Sequence, residues 1–355
     1  MNFQQKLELH RKFWRGELER PLLGFFITDE HPAADLPRGP KMPSSDTNNP
    51  MDIVVARARA SALRQNAEPG DRVPEVSVND CGTAFLPALA GADYRDDGHT
   101  VWCIPTGRNC AELKIRPFDP ANPLWCSYAE KLRAVAEADI ENAVAATAAR
   151  TGPMEALLDM VGAAQLSLDM FDRPNAVKDR ACELLQLWKN VFEAQWEILG
   201  QPHGINGFGV YLPGKSSLFT EDALAIVGPR QFDEFFREPI SAIARHLETA
   251  FIHTHSAGLD CCRKLAEIDA LDGVELSNDP NGPSLEEIVE VGVALQEAGK
   301  SVMFSNWKHP LTDEEVRTIL DRADPTRTHI TLTVGTVAEA ERWLAEVRER
   351  FGTDW

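Results

Sequence analysis

Two histidines two residues apart, His253 and His255, close the run Phe251-Ile252-His253-Thr254-His255-Ser256-Ala257-Gly258. A β-strand returns alternate side chains to one face, so on a strand both imidazoles project the same way, about 7 Å apart along the chain. Imidazole ligates metals and titrates near neutrality, so such a pair can hold a divalent ion or exchange protons with a substrate. A lone histidine at a strand end is ordinarily a hydrogen-bonded structural group. Two on one face need a further reason.

Positioning the pair requires a strand ending at residue 255 and neighbours that bring polar groups to the same end. The chain offers a β-then-α rhythm that can do this. Residues 3–19 read as a helix, 22–27 as strand one, 31–50 as a loop and 51–66 as a helix. Strand two follows Pro69-Gly70-Asp71-Arg72 over residues 73–79. Residues 80–125 form a long excursion with β-like pieces at 100–104 and 111–115, and 126–150 reads as a helix. A third strand is assigned to Met154–Asp159, a helix to 174–199 and a glycine-rich strand to 204–211. Helices at 231–247, 259–269, 284–298, 313–322 and 338–350 then alternate with strands at 250–255, 273–277, 301–305 and 329–334. Eight strands alternating with helices predict an α/β protein of one domain over residues 1–355: a (β/α)8 TIM barrel with an N-terminal helical extension and the long 80–125 excursion. An open doubly wound sheet is the other arrangement of this rhythm, but no GxGxxG follows the first strand.

Alternation within the strands gives each one an apolar face for the helices and a polar face for the barrel axis. The polar faces carry Glu75, Ser77 and Asn79 on the second strand, His253 and His255 on the histidine strand, Glu275 and Ser277 on the next, and His329, Thr331 and Thr333 on the last. A buried carboxylate costs several kcal/mol unless partnered, so Glu75 and Glu275 need cationic, metal or hydrogen-bonding partners, and the histidines are the obvious ones. Barrel active sites lie at the C-terminal strand ends. Those ends carry Asp29, Asn79, Asp80, Asp159, Tyr211, Asn278, Asp279, Asn306 and Thr336 beside the histidines, with Trp307 placed to line a pocket.

Composition narrows the partners. With 36 basic against 55 acidic residues the formal charge is −19, which excludes non-specific binding to nucleic acid or to an anionic membrane, and no stretch approaches a membrane span. A charged N-terminus without an apolar signal core predicts a cytoplasmic protein acting on a small molecule. The seven cysteines, an odd number without CxxC spacing, read as reduced thiols, with Cys261 and Cys262 in the core. Oligomeric state leaves no mark in the sequence.

Leu218-Phe219-Thr220-Glu221-Asp222, Gln231-Phe232-Asp233-Glu234-Phe235-Phe236, the histidine run and Pro69-Gly70-Asp71-Arg72-Val73-Pro74 together resemble the uroporphyrinogen decarboxylase superfamily, which includes corrinoid-linked methyltransferases. The resemblance covers about residues 69–335 and implies a barrel with its site at the C-terminal strand ends. The Arg-Gln-Ala-Gly-Arg-Tyr clamp of the decarboxylases is absent, because Thr28-Asp29-Glu30-His31 follows the first strand. The methyltransferases of the superfamily bind zinc through His-x-Cys and a distant Cys. His253 matches the histidine, His255 replaces the first cysteine, and no cysteine follows Cys262.

The leading expectation is a metal-assisted methyltransferase. Its ligands to a divalent ion, zinc by resemblance, are drawn from His253, His255, Glu275 and Asp279, with Glu275 as ligand or base. Tyr211, Asp80 and Asn79 share the catalytic assignment, and Asp29, Asp159, Asn278, Asn306 and Trp307 are assigned to substrate. A corrinoid, carried by a partner protein, is the methyl partner that the resemblance implies. One alternative is a metal-free decarboxylase or lyase on a small carboxylated substrate, with His253 or His255 as acid and Arg95, Arg108 or Lys215 as clamp. Another is a barrel that binds a ligand without turnover.

Overall fold

The computed structural model describes residues 1–32, 35, 50–78, 81–96, 101–148, 150–199, 205–306 and 309–352. Helix α1 (Phe3–Arg15) starts on a capping box between Asn2 and Gln5 and stops at Gly16, whose left-handed backbone suits glycine. After it come β1 (Leu22–Glu30), α2 (Met51–Asn66), β2 (Glu75–Val76), α3 (Phe85–Leu89), the pair β3 (Asp93–Asp96) and β4 (Val101–Ile104), α4 (Pro123–Glu137) and β5 (Val144–Ala145). Three helices come next, α5 (Pro153–Val161), α6 (Ala163–Asp172) and α7 (Pro174–Leu199). A hairpin of β6 (Ile205–Gly207) and β7 (Val210–Leu212) leads into β8 (Ser216–Thr220).

The remainder is regular. Helix α8 (Pro229–Gln231) runs through a π-helical segment, Phe232–Phe236, into α9 (Arg237–Ala244). Then β9 (Thr249–His255), α10 (Leu259–Lys264), β10 (Gly273–Asn278), α11 (Leu285–Glu297), β11 (Ser301–Asn306), α12 (Asp313–Arg322), β12 (Thr328–Thr336) and α13 (Val337–Phe351) alternate.

Six strands form one curled parallel sheet in the order β1-β12-β11-β10-β9-β8. A parallel pair, β2 and β5, stands apart from it, so a continuous eight-stranded ladder is not present among the described residues. A few backbone bonds bridge the gaps, among them an isolated parallel bridge between Thr151 and Thr220. Asp71 N–H donates to Leu23 O at 2.8 Å beside β1, and Thr220 N–H donates to Arg150 O at 2.6 Å beside β8. Where the expected ladder of strand two shrinks to two residues, side chains substitute for backbone: Gln65 of α2 accepts from Glu75 N–H and donates to Glu75 O, both at 2.8 Å.

Several elements differ from their sequence reading. Residues 154–159, read as a strand, form α5, because Pro153 starts a helix well and the leucines suit a helix face as readily as a strand. The helix read over 126–150 ends at Glu137, and β5 lies inside that range. Residues 111–115 form no strand, and 101–104 pairs instead with 93–96. The most consequential omission is β8, a strand of two serines, two apolar residues and a threonine whose weak alternation hides it.

Apolar side chains from Phe13 through Val347 form one contiguous core between sheet and helices. Among the described residues no helix is long and apolar enough to cross a membrane.

Candidate metal centre

Parallel pairing in register places Glu275 of β10 opposite His253 of β9 and Ser277 opposite His255. On the other side Thr220, the last residue of β8, pairs with His253, so the chain leaves β8 next to the histidines as Glu221-Asp222. Side chains opposite one another on one sheet face lie within contact range, and that alone brings five polar residues together.

Each imidazole is held at Nδ1 by a carboxylate. Nδ1 of His253 lies 2.9 Å from Oε2 of the buried Glu275, and Nδ1 of His255 lies 2.9 Å from Oδ1 of Asp279. A carboxylate can only accept, so in the neutral rings both Nδ1 atoms carry the proton and both Nε2 atoms present lone pairs. Asp279 is itself fixed by the backbone N–H of Ser256 at 2.8 Å and by Ser277 Oγ at 3.0 Å. The two rings stand nearly perpendicular, at 83°, with centroids 5.0 Å apart.

Both Nε2 atoms face one carboxylate. Nε2 of His253 is 3.6 Å from Asp222 Oδ1, and Nε2 of His255 is 3.3 Å from Asp222 Oδ2. Neither is a short hydrogen bond, yet both match the edge of a coordination tetrahedron, roughly 3.3 Å for metal–ligand bonds of about 2.0–2.1 Å. One donor atom from each of Asp222, His253 and His255 falls within 4.8 Å of the other two. Two imidazoles and one carboxylate form a donor set suited to zinc or another divalent first-row ion.

The surrounding field favours a cation. Glu155 and Asp159 of α5 and Glu221 stand near Asp222. Burial, then Asp222, pushes the Glu155 carboxyl well above its usual range and Asp159 up to about 7, and burial pushes Glu221 up to about 8. Hydrogen bonding to Asp222 and Asp279 raises His255 to about 10. For His253 burial works against the charge, but Glu275 and Asp222 outweigh it and its pKa also rises.

The other sequence-assigned residues have diverse placements. Glu275 and Asp279 face Nδ1 of the histidines rather than the Nε2 side where an ion would sit, so their geometry is that of supports. Glu75 pairs with Arg150 at 2.9 Å rather than with the histidines. Tyr211 lies away from the centre: the chain reverses at Phe208-Gly209, and the returning arm packs the ring with Leu7 and Val73 near α1. Phe208, not Tyr211, meets His253, with ring centroids 5.6 Å apart.

Asp29 lies near the end of β1 beside Gly335, its Oδ2 3.0 Å from where a Cβ on that glycine would sit. Asn278 and Asn306 are aligned at the ends of β10 and β11, and strand alternation gives Asn278 the face opposite Glu275 and Ser277. Thr336 caps α13. Asn79, Asp80 and Trp307 lie outside the described residues. Cys261 and Cys262 are buried, their thiols pushed up to about 11 and 12 by burial, which is core behaviour. Of the proposed clamp, Arg95 and Arg108 are exposed, and Lys215 bonds Glu193 at the N-terminal side of β8, the wrong end.

Sequence reasoning missed Asp222 because it missed β8. The signal was present: Leu218-Phe219-Thr220 bounded by Pro213-Gly214 and Glu221-Asp222 has the composition of a short buried strand with acidic residues at its C-terminal end.

No protein-family model and no curated protein matches the chain. Among solved structures it is similar to a methyltransferase from Methanosarcina mazei, with a TM-score of 0.66 at 12% sequence identity, over 99% of this chain and 100% of that one. The likeness extends over the whole chain and is one of fold.

Proposed function

We infer that the chain is a metal-assisted methyltransferase of the cytoplasm, built as one (β/α)8 barrel domain. Asp222, His253 and His255 hold a divalent ion, most suitably zinc, and Glu275 and Asp279 orient the two imidazoles. The carrying observation is the convergence of both Nε2 atoms on the two oxygens of Asp222, at 3.6 and 3.3 Å, while each Nδ1 is anchored at 2.9 Å. The whole-chain fold likeness to a methyltransferase supports the reaction class. Three protein ligands leave a position for substrate.

When bound, the ion supplies Lewis-acid activation of a substrate heteroatom. The chain's own residues do the rest. Glu275 and Asp279 fix the tautomers, Phe208 walls one side of His253, and Glu155 accepts the backbone N–H of Asp222 and so helps to place it. The methyl group would come from a corrinoid carried by a partner protein.

Elemental analysis of protein purified without chelator tests the reading: about one divalent ion per chain, lost in Asp222→Ala, is the expected result. Protein that carries no stoichiometric metal and takes up none from micromolar zinc overturns it. Turnover that survives chelation would favour a metal-free lyase with His255 as acid.

A further inference from the structure

Beside the metal centre lies a cavity of about 540 Å³, within the usual size of a small-molecule site. It opens between α2, β1 and the β2 segment, where the parallel ladder is interrupted, and Phe208 forms part of its wall. Because the Phe208 ring also meets His253, the cavity adjoins the metal centre.

Its lining is unlike the rest of the surface. On a chain of formal charge −19, the cavity sets three arginines, Arg57, Arg72 and Arg150, against two glutamates, Glu68 and Glu75. The glutamates are already engaged: Glu68 by Arg72 at 3.2 Å and His31 at 3.0 Å, and Glu75 by Arg150 at 2.9 Å. Arg57 has no ion pair among the described residues, so it supplies the uncompensated charge. Two aromatic rings complete the walls. Phe26 is 43% exposed although it belongs to a core strand, and Arg72 stacks over it at 4.0 Å; Arg150 stands over Phe208 at 5.5 Å.

Phe208 is held there at a conformational cost. Its φ of 54° is in the left-handed region, which costs a residue with a Cβ roughly 1–2 kcal/mol. Glycine or asparagine would serve the turn better. A strained aromatic at a hairpin tip, between an arginine and the candidate metal ligand, is the kind of feature that surrounding structure keeps in place for function.

We propose that this cavity is the substrate pocket and takes a small flat organic carboxylate, its ring against Phe26 and Phe208 and its carboxylate on Arg57 and Arg150. Calling the ligand a substrate rests on the metal-centre reading; its binding does not. Arginine binds carboxylates in fixed planar geometry and stacks on rings, so charge and shape are read together.

Calorimetric titration of metal-free full-length protein with benzoate, its neutral analogue benzamide, and acetate tests this, with zinc titrated in parallel. Benzoate is expected to bind at least about tenfold more tightly than benzamide, the worth of one charge-assisted contact, and more tightly than acetate. Arg57→Gln, an exposed substitution on α2 that leaves the core untouched, is expected to abolish the preference over benzamide. Phe208→Leu is expected to weaken benzoate and benzamide alike, and Arg57→Gln should leave zinc affinity unchanged. Equal binding of benzoate and benzamide, tighter binding of acetate, no binding of benzoate, or an unchanged preference in Arg57→Gln overturns the proposal. Zinc uptake without carboxylate binding removes the pocket and leaves the metal centre, whereas carboxylate binding without zinc uptake does the reverse.

Discussion

His253 and His255 sit at the C-terminal end of the parallel sheet among carboxylates, whereas His10 and His329, both fully buried, sit near its N-terminal end with almost none. His10 accepts the N–H of Tyr211 at Nδ1, 3.0 Å away, and donates from Nε2 to the Asp71 carbonyl at 2.9 Å. That pairing fits only the neutral ring. The carboxylate of Asp71 is taken by Arg20 through two bonds of 2.7 and 3.0 Å. Among the described residues His329 has no hydrogen-bond partner at either nitrogen, and Arg72 is its charged neighbour. Burial therefore holds His10 down at about 4 and His329 well below the ordinary range, while flanking carboxylates push His255 up. The same side chain in the same fold becomes a fixed neutral core group or a cation-seeking one according to which acceptors the neighbouring strand ends provide.

Exchanging these environments by mutation should expose the difference. The largest effect belongs to the end with the candidate metal centre: His253→Ala combined with His255→Ala should abolish stoichiometric zinc binding in calorimetry, and His329→Phe should leave it unchanged. If the double variant still binds zinc with wild-type affinity, the contrast between the two pairs has no chemical meaning.

Next is Asp71→Ala at the other end. It leaves Arg20 buried without its carboxylate and also deprives Leu23 N–H of its acceptor at 2.8 Å. A loss of about 3–5 kcal/mol in urea unfolding is expected, the usual consequence of breaking one side of a buried pair. A loss under about 1 kcal/mol would show that solvent reaches the pair.

The His10 tautomer gives a pH signature. Its folded pKa, about 4, lies below the ordinary value of 6.5, so between those values the unfolded chain binds more protons than the folded one. Its contribution is therefore fully present above pH 6.5 and is lost as pH falls toward 4, at most about 3 kcal/mol. Raised carboxyls such as Glu221 act in the opposite sense, so the quantity to measure is wild type minus His10→Gln. That difference should shrink by scanning calorimetry from pH 7 to pH 4.5; a constant difference contradicts the neutral-ring assignment.

The smallest changes sharpen the role of the supports. Glu275→Gln and Asp279→Asn keep shape and hydrogen-bonding capacity but remove charge, and each should weaken zinc about 10–100-fold without eliminating it. Complete loss in either would promote that carboxylate to ligand.

The elements with clear periodicity were legible from the chain. The helices at 51–66, 174–199 and 313–322 have the bounds read from the sequence, and the strand ending in His255 is present with both histidines on it. Residues 138–159 were not legible, because alanine, leucine and glutamate support a helix as well as a short buried strand, and pairing decides between them. The same limit hid β8. A strand of two serines, two apolar residues and a threonine has too little pattern of its own and is defined by its hydrogen bonds to β9.

The amino-acid order by itself determined that two imidazoles share a face, since strand periodicity is local, and that Glu275 points to the interior. Only the tertiary structure decided which carboxylate holds each Nδ1 and that Asp222 faces both Nε2 atoms. Those relations depend on the register of β8, β9 and β10, which is fixed by packing between segments far apart in the chain rather than by any short run of residues.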